Sequence, residues 1–364
     1  MNNKKRIAVI FGGQSSEHEV SRFSAEAVIK NIDKSKYDVA MIGITREGKW
    51  LNYDGPVEKL GTGEWQALAE EGHKDGKALL TAGTAIEKAE QDNKSIDVVF
   101  PVLHGCNGED GTIQGLLELA GIPYVGCGVL GSALGMDKAY AKIVFEKAGL
   151  PQGKYIVFNR KQIYNDIDTC MDNVEGLLTY PCFVKPSNAG SSVGVTKAHD
   201  RDELKAALEL AARYDRRILA EEYIDGKEAE CAVLGNDNPS ASTVGEVKPC
   251  NEFYDYEAKY MCGDSSEVII PANLPSETID KIRGYAVRAF RALDCSGLAR
   301  ADFFVQKDTG RIYINELNTM PGFTQISMYS KLWAASGLPY SELIDRLIEL
   351  ALERFEDNKR DIGE

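Results

Sequence analysis

The densest group of potential metal ligands lies at residues 300–323, RADFFVQKDTGRIYINELNTMPGF. Lys-Asp-Thr-Gly separates two alternating runs, which predicts a β-hairpin. Side chains two residues apart on a strand share a face, so Arg300 would lie beside Asp302. By the same rule, Glu316 would lie beside Asn318. Oxygen donors without sulfur or imidazole suit a hard cation such as Mg²⁺ next to nucleotide phosphates. The alternative is a polar row that faces solvent on an ordinary hairpin.

A second candidate segment, residues 183–197, reads FVKPSNAGSSVGVTK and joins a lysine to a run of glycines and serines. In the Walker A pattern the lysine follows the glycines at the start of a helix. Here Lys185 precedes them, at the end of a predicted strand. The segment is therefore either a phosphate-handling loop of another kind or a polar turn between two strands.

Two potentially functional side chains follow predicted strands of the N-terminal region. His104 comes after the apolar run VVFPVL, where α/β sheets bind ligands, although a lone histidine is often structural. Glu17 lies near the start of a predicted helix, where it could hold a ligand or only complement the helix dipole. Ser16 and Glu19 have the spacing of a capping box for this helix.

Two further segments have equally ordinary alternatives. Glu221 and Glu228 flank a turn at residues 224–227, IDGK, which a hairpin in solvent would explain. Residues 251–260, NEFYDYEAKY, alternate aromatic and charged side chains. This pattern indicates either a lid or binding loop, or an edge strand with one solvated face.

The bulk properties of the chain exclude several classes of protein. Its 364 residues exceed one core of common size, and 43% of them are hydrophobic, which indicates a globular protein of two or three domains. A net charge of -14 argues against general binding to nucleic acid or to anionic membranes. We expect neither a membrane span nor a signal peptide, because the apolar runs are too short. The eight cysteines are scattered without a C-x-x-C pair, which favours reduced thiols in the cytosol.

The order of apolar runs and helical patterns predicts an α/β protein. Strands are expected at RIAVIF, YDVAMIGIT, IDVVFPVLHG and PYVGC, with helices between them, which indicates a doubly wound parallel sheet at the N-terminus. Two further units of strands and helices follow. The last segment, SELIDRLIELALERF, predicts a helix whose apolar stripe packs into a core.

These segments also occur together in one known order. A strand-GG-helix start, LHG-x-x-GEDG, KPSNAGSSVG, FYDYEAKY, RADFF and NELNTMPGF closely resemble the D-alanine–D-alanine ligases of the ATP-grasp superfamily. The resemblance covers essentially the whole chain. It implies a three-domain ATP-grasp architecture: an N-terminal α/β substrate-binding domain at 1–127, a central subdomain at 128–221, and a C-terminal subdomain with the metal site and lid loop at 222–364.

The resemblance further implies a role for each matching position. The ATP-binding positions are Lys138, Lys185, Ser192, Glu221, Tyr223, Ile224, Glu228 and Lys259. The ligands of two Mg²⁺ or Mn²⁺ ions are Asp302, Glu316 and Asn318. The positions that bind the substrate are Glu17, Val20, His104, Arg300, Ser327 and Met328. The catalytic positions are Glu17, Ser191, Tyr260, Arg300, Gly322 and Ser327. K⁺ is a further candidate cofactor.

The implied reaction joins two D-alanine molecules at the expense of ATP, for peptidoglycan precursor synthesis. The first carboxylate would attack the γ-phosphate, and the second amine would attack the resulting D-alanyl phosphate. Arg300 and the Gly322 N–H match the family's donors to the oxyanion. Ser191 and Tyr260 match a pair that links three loops together with Glu17, and closure of these loops would keep water from the acyl phosphate.

The identity of the second substrate depends on two positions. Tyr260 argues against D-lactate, because the related ligases that use D-lactate lack this tyrosine. Met328 stands where the ligases for D-serine and D-lactate commonly carry arginine, and its apolar side chain suits a methyl group. D-serine remains the alternative second substrate. The resemblance also implies a cytoplasmic homodimer, with no nucleic-acid or membrane partner.

Two other classes of protein share part of these motifs. Another ATP-grasp ligase would have the lysines and the metal hairpin, but neither LHG-x-x-GEDG nor FYDYEAKY. A nucleotide-binding regulator without enzymatic activity would be expected to lack Arg300, Glu316 or Asn318, and all three are present.

Overall fold

The computed structural model describes residues 4–72, 95–190, 193–248 and 267–361. These parts of the chain fold into three β-sheets with helices packed against them. Ser191, Ser192, Lys259 and Tyr260 lie outside the described residues, as does the predicted lid segment. Within the described ranges, no helix is both long and apolar enough to cross a membrane.

The N-terminal sheet has the strand order β3-β2-β1-β4. Its strands are β1 (Lys5–Gly12), β2 (Tyr37–Ile44), β3 (Trp50–Tyr53) and β4 (Val98–Val102). β1 runs parallel to both β2 and β4, as predicted, and β3 adds an antiparallel edge. Ile7 and Ile10 are both fully buried although they face opposite sides of β1, so both faces of the sheet are covered. The predicted strand PYVGC forms only an isolated bridge between Tyr124 and Val99.

Within the described part of this region, the helices are α1 (His18–Asn31), α2 (Glu58–Thr62), α3 (Trp65–Gly72) and α4 (Thr112–Leu119). The predicted capping box of α1 is wrong, because the helix begins one residue too late for Ser16 to occupy the N-cap. Glu17 takes that position, and its N–H donates to Ser15 Oγ at 3.0 Å. Glu19 forms an ion pair with Arg46.

The central sheet is antiparallel and has the order β5-β8-β6-β7. Its strands are β5 (Tyr155–Asn159), β6 (Cys182–Pro186), β7 (Thr196–Ala198) and β8 (Arg217–Glu222). The helices from this part of the chain are α5 (Val129–Met136), α6 (Lys138–Lys147), α7 (Arg160–Asn165), α8 (Ile167–Leu177) and α9 (Arg201–Tyr214). Buried apolar side chains of α8, α9 and the sheet form one core.

The C-terminal sheet has the order β11-β10-β9-β12-β13. Its strands are β9 (Gly226–Gly235), β10 (Ser240–Lys248), β11 (Glu267–Ile269), β12 (Gly297–Gln306) and β13 (Ile312–Asn318). The remaining helices are α10 (Ser276–Ala292), α11 (Met328–Ala335) and α12 (Tyr340–Asp357). The predicted apolar stripe of α12 is buried in the core, as expected.

The connection between β8 and β9 passes from one sheet to another. β8 pairs with β5 and β6, whereas β9 pairs with β10 and β12. The alternative that Glu221 and Glu228 flank a hairpin is therefore wrong. Residues 223–225 bridge the central and C-terminal sheets, and both acidic side chains line the space between these sheets.

The N-terminal sheet packs against the C-terminal region through apolar and polar contacts. The rings of Phe100 on β4 and Phe323 lie 5.8 Å apart between centroids. Arg354 on α12 donates to the Tyr124 carbonyl at 3.2 Å and to Ser296 Oγ at 2.9 Å. These contacts hold the carboxyl end of the N-terminal sheet close to the β12–β13 hairpin.

Candidate active site

One cavity of about 1590 Å³ lies between the three sheets. Its lining includes every predicted site residue that the structure describes: Glu17, Val20, His104, Lys138, Lys185, Glu221, Tyr223, Ile224, Glu228, Arg300, Asp302, Glu316, Asn318, Gly322, Ser327 and Met328. These residues come from positions as far apart in the sequence as Glu17 and Met328, and the fold brings them together. The cavity exceeds the usual volume for a single small ligand.

The β12–β13 hairpin forms as predicted, and it aligns the candidate metal ligands. Asp302 is the cross-strand partner of Glu316, and Arg300 is the partner of Asn318. A register shift after Asp302 leaves the side-chain alignment of these four residues intact. Asn318 Nδ2 donates to Asp302 Oδ2 at 2.9 Å. The alternative of a solvent-facing polar row does not hold, because all four residues line the cavity.

Arg300 is held among carboxylates on this face. It donates to Asp302 through Nε at 2.7 Å and through Nη2 at 2.8 Å. Its Nε also lies 2.8 Å from Glu230 Oε2, on the neighbouring strand β9. Burial opposes the charge on Arg300, but the neighbouring carboxylates outweigh this effect and raise its pKa. Glu230 is not among the predicted site residues, although its i+2 spacing from Glu228 on a strand places both on one face.

The donor set of the hairpin fits a hard divalent cation. Asp302 and Glu316 provide carboxylate oxygens and Asn318 provides an amide, which are ligand types that Mg²⁺ accepts. Lys138 Nζ lies 3.5 Å from Glu316 Oε2 and Arg300 contacts Asp302, so protein cations neutralise both acids. Among the described residues, no three His, Cys, Asp or Glu side chains form a metal-binding group by themselves. The candidate set is accordingly two carboxylates and one amide.

Lys185 and Glu221 form an ion pair on adjacent strands of the central sheet. Lys142 on α6 approaches the same carboxylate, with its Nζ 2.9 Å from Glu221 Oε2. Burial opposes ionisation of Glu221, but the charges of Lys142 and Lys185 lower its pKa to about 2. Burial likewise opposes the charge on Lys185, and Glu221 and Glu316 outweigh it and raise the pKa of the lysine. Lys142 was missed, although it follows Lys138 by one helical turn.

Lys138 is positioned by the start of helix α6. The side chain of Asp137 caps this helix and accepts from Ser187 Oγ at 2.6 Å. The N–H of Lys138 donates to the Ser187 carbonyl at 2.9 Å, and its Nζ donates to the Ala189 carbonyl at 2.8 Å. The loop that follows β6 is thus fixed against the helix start up to the glycine-serine run.

Part of the cavity lining is apolar and aromatic. The ring of Tyr223 lies 6.2 Å from that of Phe183, and Lys197 Nζ lies 4.2 Å above the Tyr223 ring. Ile224 follows in the connection between the two sheets, outside both hydrogen-bonded ladders. A flat ring could stack in such a lining and reach the main chain of residues 223–225.

Glu17 lies in a narrow space between two glycine backbones. Its side chain is buried, with 7% of the residue exposed. A Cβ at Gly105 would come within 2.6 Å of Glu17 Oε2, and a Cβ at Gly190 would come closer still. These two positions therefore require glycine while Glu17 holds its place. Gly190, in the loop after β6, therefore lies against the candidate amine-binding carboxylate.

His104 is almost fully buried, with 3% exposed, and both ring nitrogens have partners. Nδ1 lies 3.0 Å from the Met320 carbonyl, and Nε2 lies 3.1 Å from Ser24 Oγ. Burial lowers the pKa of His104, and the charge of Glu17 opposes this shift. The imidazole is therefore neutral and supports the wall of the cavity rather than projecting into it.

The turn after β13 brings Gly322 and Ser327 together. A Cβ at Gly322 would lie 3.3 Å from Ser327 Oγ. Ser327 occupies the N-cap of α11, and its hydroxyl accepts from the Thr324 N–H at 3.0 Å. Met328 is 9% exposed and packs beside Gly245 while still bordering the cavity. Its apolar side chain is therefore part of both the core and the cavity wall.

Comparison with protein families identifies two matching models that together span most of the chain. The model described as "D-ala D-ala ligase N-terminus" matches residues 6–127, and "D-ala D-ala ligase C-terminus" matches residues 144–349. The chain is 69% identical to the D-alanine–D-alanine ligase of Ruminiclostridium cellulolyticum, covering 99% of this chain and 98% of the relative. It is 62% identical to the D-alanine–D-alanine ligase of Acetivibrio thermocellus over the full length of both.

Two solved structures share the fold. The VanG D-Ala:D-Ser ligase of Enterococcus faecalis is 42% identical and superposes with a TM-score of 0.82, covering 96% of this chain and 100% of that one. The D-alanine–D-alanine ligase of Coxiella burnetii is 35% identical with a TM-score of 0.79, covering 97% of each chain. The similarity extends over the whole architecture.

Proposed function

The chain belongs to the D-alanine–D-alanine ligase family, and from this premise we propose how its cavity divides between ATP, metal ions and two D-alanine molecules. The protein is an ATP-dependent ligase that forms D-alanyl-D-alanine for peptidoglycan synthesis. The observation that carries the assignment of the site is the convergence of the predicted residues on one cavity between three sheets.

The ATP phosphates bind at Lys138 and Lys185. Two contacts support this assignment. The amino group of Lys138 lies beside Glu316, and the amino group of Lys185 lies beside Glu221; both acids line the cavity. The adenine ring occupies the apolar lining beside Phe183, and residues 223 and 224 read its edge through the main chain. Glu221 and Glu228, which both line the cavity, are the nucleotide-binding acids. Ser192 and Lys259 belong to this set by family position alone.

Asp302, Glu316 and Asn318 hold two divalent cations, Mg²⁺ or Mn²⁺. Their oxygen donors and cross-strand alignment support this assignment. Bound there, the ions would neutralise negative charge on the phosphoryl group during its transfer. K⁺ is proposed as an additional activating ion on the family resemblance only.

The first D-alanine binds with its ammonium at Glu17 and with Val20 and His104 in the surrounding wall. The second D-alanine binds near Ser327 and Met328, where an apolar wall suits the methyl group. Ser191 and Tyr260 would join Glu17 in closing the loops over the site. The contact between Gly190 and the Glu17 carboxylate supports this closure, because Gly190 directly precedes Ser191.

The reaction proceeds in two transfers. A carboxylate oxygen of the first D-alanine forms a bond to the γ-phosphorus while the bond to the bridging oxygen breaks, so ADP leaves. The amine of the second D-alanine then attacks the acyl-phosphate carbonyl and loses a proton. Arg300 and the Gly322 N–H stabilise the oxyanion, and its collapse expels inorganic phosphate. Exclusion of water protects the acyl phosphate between the two steps.

The domain organisation, the cellular location and the oligomeric state are proposed from the same premise. The chain divides into domains at 1–127, 128–221 and 222–364. The three sheets support three units, and the N-terminal family model ends at residue 127. The protein acts in the cytoplasm as a homodimer. Free thiols at the described cysteines agree with a reducing compartment.

Product analysis in competition tests this proposal. The purified protein is given ATP, Mg²⁺ and equimolar D-alanine, D-serine and D-lactate, and the products are separated and quantified together with released phosphate. D-alanyl-D-alanine should dominate. A majority of D-alanyl-D-serine would instead support the D-serine alternative, and phosphate release that does not depend on D-alanine would overturn the assignment.

A further inference from the structure

The turn that carries Gly322 is held from both sides by side chains of the N-terminal region. The Met320 N–H donates to Glu109 Oε2 at 3.3 Å, and the Met320 carbonyl lies 3.0 Å from His104 Nδ1. On the other side of Gly322, the Phe323 N–H donates to Ser24 Oγ at 3.3 Å. Backbone groups on both sides of the Pro321-Gly322 pair are therefore fixed by side chains of the N-terminal region.

The hydrogen bonds of this network are consistent with a single arrangement of protons. Ser24 Oγ accepts from the Phe323 N–H, so its own proton is available for His104 Nε2 at 3.1 Å. Neutral His104 then carries its proton on Nδ1 and donates it to the Met320 carbonyl. The chain of hydrogen bonds runs from one side of the turn to the other through two buried side chains.

Glu109 completes the support from the loop at residues 104–111. Its Oε1 accepts from the Gly105 N–H at 2.8 Å, while its Oε2 accepts from the Met320 N–H. Ser24 is fully buried and His104 nearly so, hence water cannot readily replace these partners. Removing one member would leave a buried donor unsatisfied and release one side of the turn.

We propose that Ser24, His104 and Glu109 are positioning residues that hold the Gly322 N–H at the oxyanion of the tetrahedral intermediate. This inference rests on the proposed function, in which Gly322 donates to that oxygen. None of the three side chains touches the reacting atoms. They act through the backbone of Met320 and Phe323, whose fixed position determines where the intervening amide lies.

The same loop also supports the amine site. The Glu17 carboxylate lies close to the Gly105 backbone, and the Gly105 N–H donates to Glu109 Oε1. The carboxylate that receives the first D-alanine and the turn that receives the oxyanion therefore share one support. A shift of this loop would alter both the approach of the substrate and the stabilisation of the intermediate.

The test compares Ser24→Ala with Ser132→Ala. Ser132 is also a buried helical serine that bonds a backbone carbonyl, with its Oγ 3.3 Å from the Cys127 carbonyl, but it lies outside this network. We expect Ser24→Ala to lower kcat about 10- to 100-fold with little change in the KM for ATP. Ser132→Ala should keep the wild-type kcat, although both variants lose some thermal stability.

Two further readouts separate positioning from a general structural effect. In a single turnover followed by rapid quenching, Ser24→Ala should slow dipeptide formation more than ADP formation, because only the second step develops the oxyanion. Its affinity for a tetrahedral phosphinate analogue of the dipeptide should fall in parallel with kcat/KM. Glu109→Gln, which keeps the side-chain volume but loses one acceptor, should show the same pattern.

The outcomes distinguish this inference from the proposed function. Equal kcat and equal analogue affinity in Ser24→Ala, Glu109→Gln and Ser132→Ala would overturn the positioning role while the wild type still forms dipeptide. A wild-type protein that forms no dipeptide from D-alanine would overturn the proposed function itself. Similar slowing of both steps in Ser24→Ala would also contradict the positioning role.

Discussion

Lys142 Nζ lies 2.9 Å from Oε2 of Glu221, a residue of the cavity lining, and both side chains are nearly inaccessible to solvent. Lys185 binds the other oxygen of the same carboxylate. If Lys185 binds an ATP phosphate, as proposed above, Lys142 is still in place to pair with Glu221 and keep the acid ionised.

The first prediction concerns Lys142 itself. Lys142→Met should lower the free energy of unfolding by about 3 kcal/mol, because one partner of a buried ion pair is removed. Thermal unfolding measured by calorimetry at neutral pH checks this loss. Lys147→Met, on the exposed side of the same helix, is the matched control and should have a near-wild-type melting temperature. Equal melting temperatures of the two variants would contradict the buried pair.

A second prediction follows from the pKa of Glu221. Its folded-state pKa of about 2 is below the usual glutamate pKa of 4.5, so the ionised form is favoured by folding. The resulting stabilisation, about 3 kcal/mol, is complete above pH 4.5 and is lost as the pH falls towards 2. The difference in melting temperature between wild type and Glu221→Gln should therefore shrink as the pH is lowered from 6 to 3. A constant difference over this range would refute the assignment of the low pKa.

A third prediction uses the close approach of Gly190 to Glu17. In Gly190→Ala the new methyl group would displace the Glu17 carboxylate, and kcat/KM for D-alanine should fall about 100-fold. Phosphate release measured against D-alanine concentration provides the value. Gly176→Ala is the control, because a Cβ at that helical glycine meets nothing within 4 Å. If Gly190→Ala and Gly176→Ala both had the wild-type kcat/KM for D-alanine, the close approach of Gly190 to Glu17 would have no role in substrate binding.

A fourth prediction concerns metal dependence. Glu316→Gln should raise the Mg²⁺ concentration for half-maximal activity by at least about 10-fold, since a charged ligand becomes neutral. Turnover is measured over a Mg²⁺ titration after removal of bound metal with a chelator. Glu277→Gln changes an exposed acid on α10 and should leave the titration unchanged. A wild-type Mg²⁺ dependence in Glu316→Gln would exclude this side chain as a ligand.

The sequence alone was sufficient for elements whose information is local. The β12–β13 hairpin was predicted correctly because Lys-Asp-Thr-Gly and the alternation of side chains determine both turn and face. The α12 stripe and the parallel pairing of β1 with its neighbours were likewise predicted from apolar periodicity. The start of α1 was predicted wrongly. Ser16 and Glu17 both precede the helical pattern, and the backbone contacts of these two residues determine which one becomes the N-cap.

The candidate site shows the same division between local and distant information. Residue types and spacing, together with the ordered motifs, determined which side chains could hold phosphate, metal and substrate. Only the tertiary structure decided that β8 and β9 belong to different sheets. It also decided that Lys142 pairs with Glu221 and that Glu230 pairs with Arg300. The contacts of Ser24 and Glu109 with the turn at Gly322 likewise appear only in the folded chain. These relationships join residues distant in sequence. Local spacing places Lys142 one turn after Lys138 and Glu230 two residues after Glu228, but which partners they meet depends on how whole sheets pack against one another.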